Sequence, residues 1–329
     1  MIKRYPMPIP FGWFHVSTSE DIAVGEAKTI RYFGQDMVLF RTESGDVSCL
    51  DAYCPHMGAH LGYGIHDLAG KGGEVKGESI VCPFHAWKFD TEGAVTDVPY
   101  AKNIPPKVKD KQCIKKFETR ELNNCIFVWY HPEETEPQWE PEVISQVVDE
   151  GWGDIMWHKR IIKTHMQDIG ENGADPAHFA YVHGTVNVPD VGEAVFDGHA
   201  RNVVLTSKMA TPRGEINGRI SFANFGPGQA VTTFEGICDT VLLGHITHIE
   251  EELVEVNFGF IQKKVNGEVP VGGVNKAIMD DIKQQLDEDM PIWENKVYRS
   301  LPILCDGDGP IYKFRKWYAQ FYVGWSEGL

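Results

Sequence analysis

Two patterns of hydrophobic spacing divide the chain. Up to about residue 130, short apolar runs stand between turn signals: 37–41 (MVLFR), 47–50, 79–82 and 125–130 (CIFVWY), punctuated by Ser44-Gly45-Asp46, Glu92-Gly93 and Asn123-Asn124. Runs of this length, rich in β-branched and aromatic residues, predict strands, and no helical period interrupts them. Residues 1–130 are therefore expected to form a small all-β domain. The acidic stretch HPEETEPQWEPEVISQ follows, with Pro132, Pro137 and Pro141, and reads as a connector over 131–150. From 151 to 329 the signals mix. A short helical segment surrounds 175–182, strand-like runs lie at 200–208, 218–224, 230–234, 240–247 and 253–262, and a long helix spans about 275–299. The second part should be an antiparallel sheet with helices, making the chain α+β. There is no internal repeat and no low-complexity tract.

The long helix carries one anomaly. Ile278, Ile282, Leu286, Trp293 and Val297 form its apolar stripe, and Asp289 falls inside that stripe. Asp280, Asp281, Asp287, Glu288 and Glu294 point outside it. A carboxylate on a buried face is costly unless a metal or a cation holds it. Asp289 is thus a candidate metal ligand, with a buried ion pair to an arginine as the alternative.

A second helical feature offers partners. In Asn172-Gly173-Ala174-Asp175-Pro176-Ala177-His178-Phe179-Ala180-Tyr181-Val182-His183, the two histidines are five apart and do not share a face of a straight helix. One metal takes both only if the helix ends between them, and Gly184 gives the chain that freedom. Two histidines and one distant carboxylate make the facial triad of non-haem Fe(II) oxygenases, which leaves open positions for O2. Asp175 lies three before His178 and also suits the N-cap, with Pro176 opening the helix; on spacing alone both roles stand open. His245 and His248, three apart on a strand, face opposite sides and make a poor metal site, although one of them is placed to line a pocket.

In the first part, Cys54-Pro55-His56 and Cys82-Pro83-Phe84-His85 form two loops that each supply one thiolate and one imidazole. A Rieske [2Fe–2S] centre needs two cysteines on one iron and two histidines on the other, which raises its potential to about −150 to +300 mV. Structural zinc favours pairs of like residues, so the mixed pairs suit it less well. His60 and His66 do not fit the pair pattern and read as loop residues. Cys49, Cys113, Cys125 and Cys238 lie in or beside β-like runs and read as inert core thiols.

Composition narrows the picture further. Apolar residues make up 42% and charged residues 24%, a globular profile, and the net charge of −16 argues against nucleic-acid binding. The N-terminus has no apolar core of a signal peptide, and no run approaches a membrane span, so a cytoplasmic protein without its own anchor is expected. Seven cysteines spread over the chain suit a reducing compartment better than a disulfide scaffold. No Gly-rich dinucleotide fingerprint is present, so any NADH is consumed by a partner protein.

In combination, CxH…CxxH and DxxHxxxxH resemble the terminal oxygenase components of Rieske non-haem iron oxygenases, over nearly the whole chain. The segments ENGADPAHFAYVHG, VTTFEGICDTVLLG and DEDMPIWENKVY…LCDGDGPIYKFRKWYAQFY look most like the steroid-directed branch, which includes 3-ketosteroid 9α-hydroxylase and the cholesterol 7-desaturases. The resemblance implies an N-terminal Rieske domain holding [2Fe–2S] on Cys54, His56, Cys82 and His85. It implies a helix-grip catalytic domain holding mononuclear Fe(II) on His178, His183 and Asp289. It further implies O2 as co-substrate, electrons from a reductase or ferredoxin, and a large hydrophobic substrate. The expected assembly is a head-to-tail homotrimer in which Asp175 bridges His178 to His85 across the interface. Hydroxylation of a steroid or sterol C–H bond is the expected reaction, with desaturation or demethylation as alternatives. A lipid-binding helix-grip module with a vestigial iron site is the non-enzymatic alternative. The loop 57–81 is longer than the family leads one to expect, and the membrane segment of the animal 7-desaturases is lacking.

Overall fold

A computed structural model describes residues 3–66, 70–109, 111–185, 187–211, 214–235 and 238–326, with side chains from 207 to 217 left aside. Residues 67–69, within the long loop 57–81, therefore lie outside the described residues. The chain forms two compact units: His15–Gln138, and Met1–Phe14 together with Trp139–Leu329.

The unit His15–Gln138 is built from short strands, as the turn-punctuated pattern predicts. Ala27–Tyr32, Gln35–Arg41, Val47–Asp51 and Lys116–Phe117 make one four-stranded sheet, and Glu74–Lys76, Ser79–Val81, Lys88–Phe89 and Val95–Asp97 make another. Their inward residues share one core, in which Val38, Phe40, Leu50, Leu61, Ile80, Trp87 and Phe89 pack with Cys54 and Cys82. The two cysteines that open the loops 54–56 and 82–85 are thus fixed by the core itself.

In the other unit, an eight-stranded antiparallel sheet runs in the order Met156–Ile162, Leu253–Gln262, Thr240–Glu250, Gln229–Glu235, Gly214–Phe225, Ala200–Thr211 and Asp190–Val191, with Val195–Asp197 also paired to Ala200–Thr211. The helix Gly273–Trp293 packs on it through Ile282, Ile278 and Met279 against Leu242 and Phe260. This helix is shorter than its apolar stripe suggests. It ends at Trp293 rather than near 299, and Val297 is 44% exposed. Pro291 sits in the last turn, where it cannot donate the N–H that a helical residue gives to the carbonyl four positions before it, and this favours an end to the helix soon after. The freed Pro291 carbonyl accepts from Asn295 Nδ2 at 2.8 Å, which closes the helix end.

Residues 3–14 cluster with this sheet domain because individual long-range bonds hold them. Arg4 pairs with Glu252 at 3.1 Å, Tyr5 Oη donates to Asp168 at 2.9 Å, and Phe11 N–H donates to the Phe321 carbonyl at 2.8 Å. None of these pairings leaves a trace in local periodicity.

His165 completes the anchor and meets His248, with ring centroids 4.5 Å apart. Each ring accepts a backbone N–H on one nitrogen (Gln167 at 3.2 Å, Met166 at 3.4 Å) and donates from the other to a carbonyl (Pro8 at 3.1 Å, Glu250 at 2.9 Å). Both must therefore be neutral, and burial pushes the His248 pKa down to about 4. A base whose folded pKa is depressed loses stability as pH falls from its unfolded value towards the folded one. Thermal stability is expected to drop between pH ~6.5 and ~4 by about 3 kcal/mol from His248 alone. His248→Gln should flatten that limb in a melting series against pH.

Among the described residues no helix is long and apolar enough to cross a membrane.

Candidate metal centres

The two loops that carry Cys54-Pro55-His56 and Cys82-Pro83-Phe84-His85 have the same backbone plan. Cys54 N–H donates to the Ala59 carbonyl and Gly58 N–H donates back to the Cys54 carbonyl, both at 2.9 Å. Cys82 N–H donates to the Trp87 carbonyl at 2.8 Å and Ala86 N–H to the Cys82 carbonyl at 2.9 Å. Four residues after each cysteine the chain must turn left-handed to make that return bond, with Gly58 at φ 76° and Ala86 at φ 57°.

This plan points backbone amides at sulfur. His56 and Met57 N–H groups face the Cys54 thiol, and Phe84 and His85 N–H groups face Cys82. The two thiols also hydrogen-bond each other, and donation from Cys54 lowers the Cys82 pKa to about 6 against its burial. The rings of His56 and His85 lie 4.8 Å apart at 72°, and His56 stacks on Trp87 at 4.6 Å. Trp87 is held in turn by its Nε1–H donating to Tyr100 Oη at 2.8 Å. His85 Nδ1 is buried with no hydrogen-bond partner among the described residues. An orphaned imidazole nitrogen beside two sulfurs and a second imidazole fits a Rieske cluster.

His60 is occupied elsewhere, its Nδ1 accepting Gly62 N–H at 3.0 Å. Cys49 and Cys125 are fully buried, and burial pushes the Cys125 thiol up to about 12. Cys113 and Cys238 differ from expectation: both are only half-buried, because they sit at loop edges and not inside strands.

The second centre forms where the chain bends after Asp175. The helix Ala177–Tyr181 ends between the two histidines, and Gly184 takes φ 68°. That turn brings the His178 and His183 rings to 5.1 Å at 82°. Gly309 packs directly on the start of this segment; a Cβ there would fall 1.9 Å from the Ala174 carbonyl oxygen. From the long helix, Asp289 reaches the same point, so that ligand-type atoms of His178, His183 and Asp289 all lie within 4.8 Å of one another.

Each member is oriented by a further contact. His178 Nδ1 donates to the Asp175 backbone carbonyl, which leaves Nε2 for the centre. His183 Nδ1 donates to Glu288 at 3.0 Å, and its Nε2 lies 3.4 Å from Asp289. Asn172 Nδ2 donates to Asp289 at 2.9 Å. Burial pulls the His178 pKa below its usual value. Burial also pulls on His183, but the carboxylates of Asp289 and Glu288 outweigh it and leave that pKa raised.

Three outcomes bear on what spacing leaves open or misses. Among the described residues Asp289 has no arginine partner; its contacts are an amide and an imidazole. The Asp175 carboxylate does cap the helix, accepting from Ala177 N–H at 3.0 Å and His178 N–H at 3.4 Å, while its carbonyl positions the ring. Glu288 leaves the apolar stripe, as its helical position requires, and yet reaches His183. Spacing missed Glu288 and Asn172; Glu288 lay one residue from Asp289, which was the available signal.

The three residues open onto a cavity of about 500 Å³. Its wall is largely apolar, including Met166, Ile169, Phe222, Leu242, Phe258 and Ile282. Neither His245 nor His248 lines it, and both are fully buried.

Family comparison agrees with this division. The Rieske [2Fe-2S] domain matches residues 12–118, and the 3-ketosteroid 9alpha-hydroxylase C-terminal domain matches residues 128–322. The chain belongs to the Rieske non-haem iron oxygenases of the 3-ketosteroid 9α-hydroxylase type. A 3-ketosteroid-9-alpha-monooxygenase oxygenase component from Rhodococcus rhodochrous is 31% identical over 333 residues, covering 95% of this oxygenase and 81% of the relative. A cholesterol 7-desaturase from Drosophila melanogaster is 32% identical over 352 residues, covering 99% and 78%. Among solved structures, Pseudomonas putida CBB5 NdmA with caffeine has a TM-score of 0.74 at 18% identity, covering 93% of this oxygenase and 89% of that chain. Dicamba monooxygenase bound to dicamba has a TM-score of 0.71 at 15% identity, covering 96% and 98%. The shared fold is a Rieske domain followed by a catalytic domain rich in antiparallel sheet. The protein is an oxidoreductase whose cofactors are a Rieske cluster and a mononuclear iron, and membership in this family sets aside the binding-module alternative.

Proposed function

We propose that this chain is the terminal oxygenase of a multicomponent system that hydroxylates a C–H bond of a steroid or sterol, with electrons arriving from a reductase or ferredoxin. One observation carries the reading: a two-histidine, one-carboxylate cluster stands in the wall of a cavity of about 500 Å³ with a largely apolar lining. That volume lies within the range of small-molecule sites, and an apolar wall suits a rigid polycyclic substrate. The curated relatives that act on ketosteroids and cholesterol support the substrate class.

In this reading Cys54, His56, Cys82 and His85 hold the cluster, and His178, His183 and Asp289 hold the mononuclear iron. When bound, the cluster supplies single electrons and the iron supplies the open coordination sites at which O2 is activated. The residues themselves orient the substrate, exclude water and fix the ligand rings. Glu288 holds His183 in the tautomer that leaves Nε2 free. Such outer partners are worth 10–100-fold in metal affinity or activity. Glu288→Gln is accordingly expected to weaken Fe(II) binding by about 10–100-fold in an anaerobic titration of metal-depleted protein.

The reading includes a head-to-tail trimer in which Asp175 joins His178 to His85 of the partner subunit. Asp175 Oδ1 is taken by the helix N–H groups and the carbonyl by His178, which leaves Oδ2 without a partner among the described residues. Asp175→Asn keeps a competent helix cap and removes the charge. It should retain both metals and slow turnover by about 10–100-fold; full activity in that variant would remove the bridge.

Product analysis by mass spectrometry, with a surrogate reductase and a panel of sterols, ketosteroids and bile acids, tests the function. Gain of one oxygen atom supports hydroxylation. Loss of two hydrogens without oxygen gain identifies a desaturase, and no product from any steroid overturns the substrate class.

A further inference from the structure

An uncompensated cation stands in the wall of the substrate cavity. Arg201, on the strand Ala200–Thr211, is 1% exposed. Its Nη1 donates to Asn224 Oδ1 at 3.1 Å and its Nη2 to the Gly173 carbonyl at 2.6 Å. Its Cζ lies 5.2 Å from the Phe314 ring centre. Among the described residues no carboxylate is bonded to it, and its Nε–H is buried with no acceptor. The neighbouring donor is in the same condition. Tyr318 is 3% exposed, its ring centre is 5.5 Å from that of Phe314, and its Oη has no hydrogen-bond partner among the described residues. Both residues line the cavity that contains His178, His183 and Asp289.

A buried arginine without an anion is expensive, and so is each unsatisfied donor. Burial lowers the Arg201 pKa only to about 10, so the group stays charged at neutral pH. The acids elsewhere on this wall do not compensate it. Asp289 is engaged by Asn172 at 2.9 Å and His183 at 3.4 Å, while Asp281 and Glu235 are exposed and engaged by Gln285 at 2.8 Å and Arg219 at 3.6 Å. Glu171, which faces Tyr318, is already paired with Arg315 at 2.8 Å.

We propose that the substrate carries a carboxylate, which docks beside Phe314 with Arg201 as its cationic partner and Tyr318 as a second donor. The substrate class is then a steroid acid, an apolar polycycle with one ionised terminus, and not a neutral sterol. This rests on the steroid reading above and narrows it. A neutral ketone would satisfy one donor but would leave the buried charge unopposed; a carboxylate answers both.

Binding separates the two ideas. Kd values are measured by tryptophan fluorescence on the iron-loaded protein, for steroid carboxylic acids and for their methyl esters. The acids should bind tighter by roughly tenfold or more, since charge-assisted hydrogen bonds are the strong ones. Arg201→Gln should abolish the preference and Tyr318→Phe should reduce it, with melting curves confirming the fold. Equal binding of acid and ester by the wild type overturns the proposal, as does a preference that survives Arg201→Gln. Because Arg201 also ties Gly173 and Asn224, that variant can fail to fold. The wild-type comparison and Tyr318→Phe then decide: an unchanged preference in Tyr318→Phe overturns its share. If no steroid binds in either form, the steroid reading fails on its own. The anion site is then read from apolar non-steroidal acids against their esters, where absence of preference overturns it.

Discussion

An Asp289→Ala variant is expected to fold, to keep its Rieske cluster, and to show no turnover. The long helix buries Asp289 on the same face as Leu286 and Trp293, which is where a carboxylate costs most in the absence of a counter-charge. Its contacts are Asn172 at 2.9 Å and His183 at 3.4 Å, and neither is a fixed cation. The charge is therefore better explained by a metal than by the stability of the metal-free fold. Removing it takes one anionic ligand from three and leaves two neutral imidazoles, which hold a divalent ion far less well. In the metal-free protein the loss of a poorly compensated buried charge offsets the small cavity, so stability should move by no more than about 1 kcal/mol. Iron per chain, the electron paramagnetic resonance of the reduced cluster and product formation are the three readouts. The expected pattern is a loss of mononuclear iron and product with an unchanged cluster signal. Full iron content together with turnover would show that Asp289 is not a ligand. Asp289→Asn, which preserves volume, serves as the control for packing.

Much of this centre was legible in the sequence because local geometry carried it. The five-residue spacing of His178 and His183 requires a helix that stops, and the chain supplies Gly184 at φ 68° just beyond. An acid in an apolar stripe singled out Asp289. The strands of both units follow from alternation and turn residues, with ends shifted by a few positions. What stayed hidden depends on contacts far apart in the chain. Arg4 with Glu252, and Tyr5 with Asp168, bring residues 3–14 to the sheet domain, and no periodicity encodes either pair. Arg201 lies on the strand Ala200–Thr211, next to the edge of its sheet, and Tyr318 ends the helix Ile311–Tyr318; each looks ordinary in its own segment. Only their common neighbour Phe314 shows that two unsatisfied donors share one wall. The end of the long helix departs from its apolar period for a different reason. The apolar period continues to Val297, but Asn295 caps the Pro291 carbonyl before that residue is reached.

A Cys82→Ser variant is expected to lose the cluster entirely, and with it all reductase-driven turnover. The loop that holds Cys82 is preorganised for a thiolate. Its return bond from Ala86 and the amides of Phe84 and His85 are all set by backbone conformation, and Cys82 is anchored in the core beside Trp87 and Phe89. Serine keeps that backbone but replaces a soft, readily ionised donor with a hydroxyl that stays protonated at neutral pH, and iron–sulfur clusters are held by thiolates. The serine side chain would fit the space, so the loss should be chemical and not structural. Melting behaviour of the metal-free forms should therefore match the wild type within about 1 kcal/mol. Cys125→Ala is the matched control. It removes an equally buried thiol from the same unit, and it should leave the visible spectrum and the reduced-state resonance unchanged. The same pair of variants separates iron–sulfur from zinc. A zinc site would give purified protein without colour and without a resonance on reduction, and Cys82→Ser would then release zinc instead of iron and sulfide. Because Cys82 belongs to His15–Gln138 while His178, His183 and Asp289 belong to the other unit, mononuclear iron should remain bound in Cys82→Ser. Loss of both irons at once would mean that the two centres are not independent in assembly, contrary to what separate folding cores predict.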